Sequence, residues 1–384
     1  MKTVGQNKIV LAFDSFKGSL TSMEVGEAAA RGVKKASPDT QTVVVPVADG
    51  GEGTVEAVVG ATGGEIVTAR VTDPLGDKID AAYGISGDTA VIEMAAASGL
   101  PLVPEDKRNP WLTTSYGTGE LIRDAIDRGC RKFLIGIGGS ATNDAGTGML
   151  RALGFRFLDR DGKETGEGGG EVAKIVEVDR SHVMPQLAEC HFTVACDVTN
   201  PLTGPQGSSH IFGPQKGADP DMVEALDAAL RSFAEVVTKS GGRDLSDYPG
   251  SGAAGGLGFA FIAFLGATLQ PGVEMVLNAI GFDRYLDGAT LVFTGEGRLD
   301  SQTPMGKTPA GVLRHARNHG KDVIGVGGSL QVQAVQTLEE TGFAAVFPIL
   351  PAPMTLDEAL RPDVAAANVE RTVEQIIRTL NIKR

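Results

Sequence analysis

Short apolar runs at the start of the chain alternate with a segment of helical spacing. Residues 8–13 (KIVLAF) and 42–47 (TVVVPV) predict buried strands. Between them, Thr21 and Glu24 have the spacing of a capping box, which predicts a helix that extends to about Ala36. Because a helical crossover joins the two strands, they should be parallel. The N-terminal region therefore predicts the start of a doubly wound α/β sheet.

The pattern changes in the middle of the chain and returns near its end. Residues 65–93 contain short apolar runs between turn sequences, which predict antiparallel hairpins. A strand predicted at 132–137 leads through a glycine-rich turn into a helix, and residues 256–269 predict a buried helix. From residue 289 onward, strand and helix patterns alternate again.

This order of patterns predicts an α/β protein with two α/β domains. The first is a discontinuous, Rossmann-like parallel-sheet domain built from both termini, residues 1–64 and 288–384. The second is an inserted mixed α/β domain, residues 65–287. The prediction requires the strand near Val292 to lie in the same sheet as the strand near Val10.

Composition narrows the function classes. The 384 residues carry a formal net charge of −13, which disfavours nucleic acid and anionic membranes as partners. The three cysteines form no CxxC pair, as expected in a reducing compartment. The N-terminal apolar run is too short for a signal peptide, and residues 256–269 are shorter than the ~20 residues of a spanning helix. We therefore expect a cytoplasmic protein without a membrane anchor.

Polar residues follow three predicted strands of the terminal domain. In open α/β sheets, ligands bind beyond the carboxyl ends of the strands. The loops at 14–21, 48–54 and 294–309 meet this condition. A mixture of carboxylates and cations there suits a metal-bound phosphate and a small polar substrate. The candidates are Asp14, Ser15, Lys17, Asp49, Glu296, Arg298, Asp300 and Lys307.

A fourth loop, residues 136–148, follows a strand and is predicted to open a helix, where backbone N–H groups can bind phosphate. Its candidates are Gly138, Gly139, Ser140, Asn143 and Asp144. The spacing lacks GxGxxG, which weakens a dinucleotide interpretation, and a tight turn without a ligand is the alternative. Residues 301–308 end in Gly-Lys-Thr, but Ser301 replaces the first glycine of a P-loop.

Asp197 follows another buried strand and precedes the turn at Asn200 and Pro201. An aspartate there would serve as a general base or a metal ligand. The alternative is a carboxylate that only caps the turn.

Six motifs, in order, resemble the bacterial glycerate kinase family from about Lys8 to Leu380. They are KIVLAFDSFKGSLTS, PVADGGEGT, IGIGGSATNDAGTGML, ACDVTNPLTGPQG, GSGAAGGLG and TGEGRLDSQTPMGKTP. The resemblance implies two α/β domains with an active-site cleft between them. It also implies the use of ATP and Mg²⁺ to phosphorylate D-glycerate, giving 2-phosphoglycerate.

With this resemblance, the candidate residues take hypothetical roles. Lys17 would lie near the transferring phosphoryl group, and Asp49 or Asp197 would accept the hydroxyl proton. Arg298 would bind the glycerate carboxylate, because its planar fork matches a carboxylate. Asp14 and Ser15 would complete the substrate site, and Glu296 and Asp300 would hold Mg²⁺. The nucleotide would be bound by Gly138, Gly139, Ser140, Asn143, Asp144 and Lys307.

Two other functions remain open from the residues alone. One is an NAD(P)-dependent oxidoreductase of a small hydroxy acid, suggested by the α/β ends and glycine-rich turns. The other is a non-catalytic metabolite-binding protein with two lobes. The density of charged loops favours an enzyme. Whether the chain forms a homo-oligomer is left open.

Overall fold

A computed structural model describes residues 8–381 of the chain. It contains β1 Lys8–Phe13, β2 Gln41–Val44, β3 Glu65–Thr72, β4 Lys78–Ser86, β5 Thr89–Glu93, β6 Lys132–Gly136, β7 Arg156–Leu158, β8 Glu177–Asp179, β9 His191–Ala195, β10 Thr268–Gln270, β11 Ala289–Gly295, β12 Arg298–Leu299, β13 Asp322–Gly327, β14 Ser329–Leu330 and β15 Ala345–Pro348.

The α-helices of the described residues range from one turn to 20 residues. They are α1 Ser22–Ala36, α2 Thr54–Thr62, α3 Ala95–Ser98, α4 Tyr116–Asp127, α5 Thr147–Ala152, α6 Gly169–Val172, α7 Ser208–Phe212, α8 Pro220–Lys239, α9 Ala253–Leu265, α10 Gly272–Ala279, α11 Asp283–Leu286, α12 Thr308–Asn318, α13 Val335–Thr341, α14 Leu356–Leu360 and α15 Pro362–Asn381.

Contacts within the chain divide it into two compact units. The first contains the described residues up to Asp49, residues Glu56–Thr62, and those from Val276 onward. The second contains Gly50–Val55 and Gly63–Met275. The domain boundaries predicted from the sequence, 64/65 and 287/288, stay a prediction.

The first unit is built on a five-stranded parallel sheet with the order β15-β13-β11-β1-β2. Val10 of β1 pairs with Val292 of β11, so the predicted sharing of one sheet by these two strands is confirmed. The chain leaves β1 toward β2 on one side, and β11 lies on the other side. The carboxyl ends of β1 and β11 therefore form a topological switch point, where α/β sheets bind ligands.

Helices α1 and α15 cover this sheet through their apolar faces. Val25, Val33, Val369 and Val373 are all buried in its core. A Cβ atom on Gly32 would lie 2.3 Å from the carbonyl oxygen of Glu370, so only glycine lets the helices approach this closely. The capping box predicted for α1 is confirmed, since Thr21 and Glu24 each cap the other's backbone N–H.

The second unit contains a six-stranded mixed sheet with the order β10-β9-β6-β5-β4-β3. Strands β3, β4 and β5 are antiparallel neighbours, which confirms the predicted hairpins. Strands β5, β6, β9 and β10 are parallel, so their carboxyl ends lie at one edge. The predicted mixed α/β class is confirmed.

The apolar segment of the second unit differs from its prediction. Helix α9 ends at Leu265, and residues 268–270 form β10. The helix stops because Gly266 adopts a left-handed conformation, with φ of 62°. Within residues 8–381, no helix is long and apolar enough to cross a membrane.

Candidate active site

The first cluster of candidate residues lies at the switch point of the parallel sheet. Asp14 directly follows β1, and its backbone N–H donates a 2.9 Å hydrogen bond to the carbonyl oxygen of Gly295 at the end of β11. This bond continues the β1–β11 pairing by one residue. The loop after β1 and the loop after β11 therefore start side by side.

The Asp14 carboxylate is only 5% exposed. Its Oδ1 accepts from the Ser15 backbone N–H at 2.7 Å, and its Oδ2 accepts from the hydroxyl of Thr308 at 2.5 Å. Burial, together with the neighbouring negative charge of Asp49, raises the pKa of Asp14 to about 7, against the opposing effects of Thr308, Ser15 and Lys17. This carboxyl group can therefore gain and lose a proton near neutral pH.

Lys17 and Asp49 form an exposed ion pair at the same edge. Lys17 Nζ lies 3.9 Å from Asp49 Oδ2, and the Lys17 side chain is 62% exposed. A pair this open contributes little to stability. The Lys17 ammonium group is therefore available to an anionic ligand.

The loop between β11 and α12 gathers the other candidates around Lys307. The Lys307 Nζ lies 3.6 Å from Glu296 Oε2 and 3.5 Å from Asp300 Oδ1. The hydroxyl of Thr303 donates to Glu296 Oε1 at 2.8 Å and accepts from the Asp300 backbone N–H at 3.0 Å. Two carboxylates therefore converge on one ammonium group.

These two carboxyl groups differ in acidity. Burial raises the pKa of Glu296, although Thr303 and Lys307 partly oppose the change. Burial also acts to raise the pKa of Asp300, but the Gln302 backbone N–H, Lys307 and Arg298 outweigh it, so its pKa is lowered. A second cation near Glu296, in addition to Lys307, would favour the ionised form of the Glu296 carboxyl group.

Arg298 lies on β12, which pairs with β14. Its side chain is 66% exposed, and its Nε lies 3.6 Å from Asp300 Oδ2. The guanidinium group thus borders the Lys307 cluster and retains free edges for a ligand carboxylate. The structure brings Asp14, Ser15, Lys17, Asp49, Glu296, Arg298, Asp300 and Lys307 together within one unit.

In the second unit, the glycine-rich loop of residues 136–148 opens helix α5 at its C-terminal end, as the sequence predicts. Helix α5 begins only at Thr147. Gly138 and Gly139 are exposed, whereas Asn143 and Asp144 are fully buried. The Asp144 carboxylate accepts from the backbone N–H groups of Ser115, Gly146 and Gly148 and from the Ser115 hydroxyl. The prediction that residues 136–148 follow a strand and open a helix is confirmed, and Asp144 organises the part of the loop that separates Gly138 and Gly139 from the helix start.

Ser140 is also turned inward. Its hydroxyl oxygen accepts from the Thr142 backbone N–H at 3.0 Å. Asp197 lies two residues beyond β9 and is exposed, and its Oδ1 accepts from the Gly272 backbone N–H at 3.0 Å. Both hold loop backbone at the carboxyl edge of the mixed sheet. A nucleotide contact at Gly138, Gly139, Ser140, Asn143 and Asp144 stays a prediction.

Three functional candidates have no clear signal in the sequence. Thr308 holds Asp14, and Thr303 links Glu296 to Asp300. Lys216 is 2% exposed and donates from Nζ to the carbonyl oxygen of Thr142 at 2.7 Å. Only the Thr-Pro at the start of α12 hinted at a structural role for Thr308.

Among residues 8–381, no group of three or more histidine, cysteine, aspartate or glutamate side chains is arranged to hold a metal ion. A complete protein-only metal cage is therefore not seen in the described part of the chain. Magnesium at kinase sites is held by one or two carboxylates together with substrate phosphates and water.

Comparisons with known proteins agree on one family. The model of the glycerate kinase family matches residues 9–381. A glycerate 2-kinase from Escherichia coli K12 is 52% identical over 98% of both chains. A glycerate kinase from Bacillus subtilis 168 is 48% identical, again over 98% of both. A crystal structure from Salmonella typhimurium LT2, assigned as a glycerate kinase 2, is similar at a TM-score of 0.90 and 48% identity, over 98% of this chain and 99% of that one.

Proposed function

Because this chain belongs to the glycerate kinase family, we propose that it transfers the γ-phosphoryl group of ATP to the 2-hydroxyl of D-glycerate, giving 2-phosphoglycerate. The observation that carries this proposal is the family match over nearly all of the described residues. The charged cluster at the switch point is what such a reaction needs, since phosphoryl transfer depends on positioning and on charge neutralisation. No feature of the site favours a dehydrogenase or a non-catalytic binding protein.

Arg298 is the proposed anchor for the glycerate carboxylate. Its guanidinium group is largely exposed and is held near Asp300 rather than buried in a bidentate pair. A guanidinium fork can still present two N–H groups to a carboxylate. Ser15 lies next to Asp14 in the same loop, and its hydroxyl is proposed to bind a substrate hydroxyl.

Lys17 is proposed to stabilise the negative charge of the phosphoryl group during its transfer from ATP to glycerate. Its ammonium group is exposed, and its ion pair with Asp49 is long, at 3.9 Å. A compact ammonium group on a flexible stem can follow a charge that shifts during the reaction. Its interaction should therefore be strongest in the transition state.

Magnesium and ATP fit the carboxylates and cations present. Glu296 and Asp300 converge on Lys307, and a divalent cation bound there would oppose the burial that raises the pKa of Glu296, so it would favour the ionised carboxylate as its ligand. Bound Mg²⁺ would supply charge neutralisation for the phosphate oxygens. Lys307 would contribute a point charge to the nucleotide phosphates.

The test is a coupled measurement of ADP formation with D-glycerate, L-glycerate and no acceptor, each with and without Mg²⁺. We expect turnover only with D-glycerate and the metal together. Phosphorus NMR of the product then separates 2-phosphoglycerate from 3-phosphoglycerate. Turnover of a different hydroxy acid in preference to D-glycerate would contradict the substrate, and a 3-phosphate product would contradict the position.

A further inference from the structure

We propose that Asp14 takes the proton from the reacting hydroxyl of glycerate, and that the Thr308 hydroxyl positions the Asp14 carboxylate for this step. The inference rests on the proposed function and replaces Asp49 and Asp197 as candidates for the base. It assigns a catalytic role to Asp14 and a positioning role to Thr308.

The hydroxyl oxygen of glycerate forms a bond to the γ-phosphorus of ATP. The bond from that phosphorus to the oxygen bridging the β- and γ-phosphates breaks, and its electron pair leaves on ADP. The hydroxyl proton passes to a carboxylate oxygen of Asp14, which later releases it to water.

The geometry of Asp14 suits this transfer. Each carboxylate oxygen accepts one hydrogen bond, from the Ser15 backbone N–H or from the Thr308 hydroxyl. Because an ionised carboxylate offers about four acceptor positions, both oxygens keep a lone pair for a substrate proton. The hydrogen bond from the Asp14 backbone N–H to Gly295 fixes the residue at the switch point of the sheet.

Thr308 is fully buried at the first position of α12. Its hydroxyl donates to Asp14 across a separation of 294 residues in the chain. Since α12 follows the loop that carries Glu296 and Arg298, this bond fixes the proton acceptor relative to the proposed substrate anchor. The reaction would be much slower if the Asp14 carboxylate were misplaced, because a general base must lie within hydrogen-bond distance of the hydroxyl whose proton it takes.

The surroundings of Asp14 set its proton affinity. Burial and the charge of Asp49, from the loop after β2, favour the protonated form. Thr308 from α12, together with Ser15 and Lys17 from the loop of Asp14 itself, favours the ionised form. The balance holds the pKa at about 7, and a base with a pKa near the working pH is the most effective.

The two alternative bases are less suited to this role. The Asp49 side chain is 30% exposed and faces the Lys17 ammonium group. Asp197 is exposed, and one of its carboxylate oxygens supports the backbone at Gly272. Neither is enclosed in the way that Asp14 is.

The first arm of the test uses Asp14→Asn, whose side-chain oxygen can still accept from the Ser15 backbone N–H while its NH2 group donates to the Thr308 hydroxyl oxygen. We expect an unchanged melting temperature and a fall in kcat of ~100-fold or more, as for loss of a general base. Loss of a general base lowers kcat by far more than about threefold. A kcat of Asp14→Asn within about threefold of wild type would therefore overturn the role of Asp14. Wild-type protein that forms no ADP with glycerate would instead overturn the proposed function itself.

The second arm follows the acidic limb of the pH profile of kcat/KM, where Asp14 becomes protonated. Asp49→Asn removes a negative neighbour, so the limb should move to lower pH. Thr308→Val removes a donor to the carboxylate, so the limb should move to higher pH, whereas Thr308→Ser keeps the hydroxyl and should restore the wild-type position. The substrates titrate identically in every assay. Differences between variants in the position of the acidic limb therefore reflect a titrating group of the protein. An acidic limb that stays in place in both Asp49→Asn and Thr308→Val would overturn the proposal.

Carbon-13 NMR of the aspartate carboxyl groups gives a readout that needs no turnover. The signal absent from Asp14→Asn identifies Asp14, and its titration midpoint should shift in the same directions as the kinetic limb. A midpoint in the range of an ordinary exposed aspartate would overturn the proposal even where the kinetics of Asp14→Asn are impaired. If Asp14→Asn fails to fold, the Thr308 pair decides the question.

Discussion

The ammonium group of Lys216 donates a 2.7 Å hydrogen bond to the carbonyl oxygen of Thr142, inside the second unit. Lys216 is 2% exposed and Thr142 is fully buried. Burial lowers the pKa of Lys216 to about 7, although Asp144 opposes the change. Lys216 therefore holds the loop that contains Ser140, Asn143 and Asp144, and it does so with a charge that depends on pH.

This burial predicts a pH-dependent stability. Between pH 7 and the ordinary lysine pKa of 10.5, the unfolded chain holds a proton on Lys216 that the folded chain has released. The free energy of unfolding should therefore rise with pH in this window, by about 1.4 kcal/mol per pH unit from this group. Below pH 7 the cost of burying the charge is present in full.

Lys216→Met removes the titrating group. Its free energy of unfolding, relative to wild type, should be most favourable below pH 7 and should fall as the pH rises toward 10. Denaturant unfolding at pH 6, 8 and 9.5 measures the difference. Lys107→Met, at an exposed site, is the matched control and should show no such trend. A difference for Lys216→Met that is independent of pH would contradict the burial argument.

Lys17→Ala should change the kinetics and spare the fold. The side chain is mostly exposed, so the melting temperature should stay near wild type. Loss of a charge contact made in the transition state should lower kcat and kcat/KM together by roughly 100- to 1,000-fold. Lys17→Arg should recover little, because a planar fork does not replace a compact ammonium group. Steady-state kinetics decide, with Lys107→Ala as the control. A rise in KM for glycerate alone would assign Lys17 to substrate binding.

Arg298→Lys should weaken glycerate binding. A charged hydrogen bond contributes ~1.5–3 kcal/mol, so loss of the second contact should raise the KM for glycerate by roughly 10- to 150-fold. The melting temperature should hardly change, because the side chain is 66% exposed. Kinetics with glycerate and with ATP varied in turn measure the effect. An increase in the KM for ATP only would place Arg298 at the nucleotide instead.

Gly255→Ala should destabilise the second unit by steric clash. A Cβ atom there would lie 1.9 Å from the Thr142 carbonyl oxygen, and φ is +73°. The backbone conformation costs ~1–2 kcal/mol for alanine, and the overpacking adds ~1–3 kcal/mol.

Gly266→Ala, at the residue that follows α9, is the matched control. Its φ is +62°, but a Cβ atom would meet no atom within 4 Å. The urea midpoint should fall clearly further for Gly255→Ala than for Gly266→Ala. Equal losses would show that backbone strain alone accounts for both.

Much of the fold could be predicted from the sequence, because strand and helix patterns are local signals. The strand predicted at residues 8–13 occurs with the predicted bounds, and the strand predicted at 132–137 occurs at Lys132–Gly136. The capping box at Thr21 is present. The C-terminal end of α9 was missed, because an apolar run does not reveal which glycine adopts a positive φ.

The sequence by itself determined the α/β class, the resemblance to glycerate kinases and the loops that carry the charges. Their identification needed only apolar periodicity and motif order. The tertiary structure decided which residues within those loops are enclosed. It buried Asp14 against Thr308 and turned Asp144 inward, and it placed Lys216 beneath the carbonyl of Thr142. Burial and partner choice depend on segments far apart in the chain, and a local pattern carries no information about them.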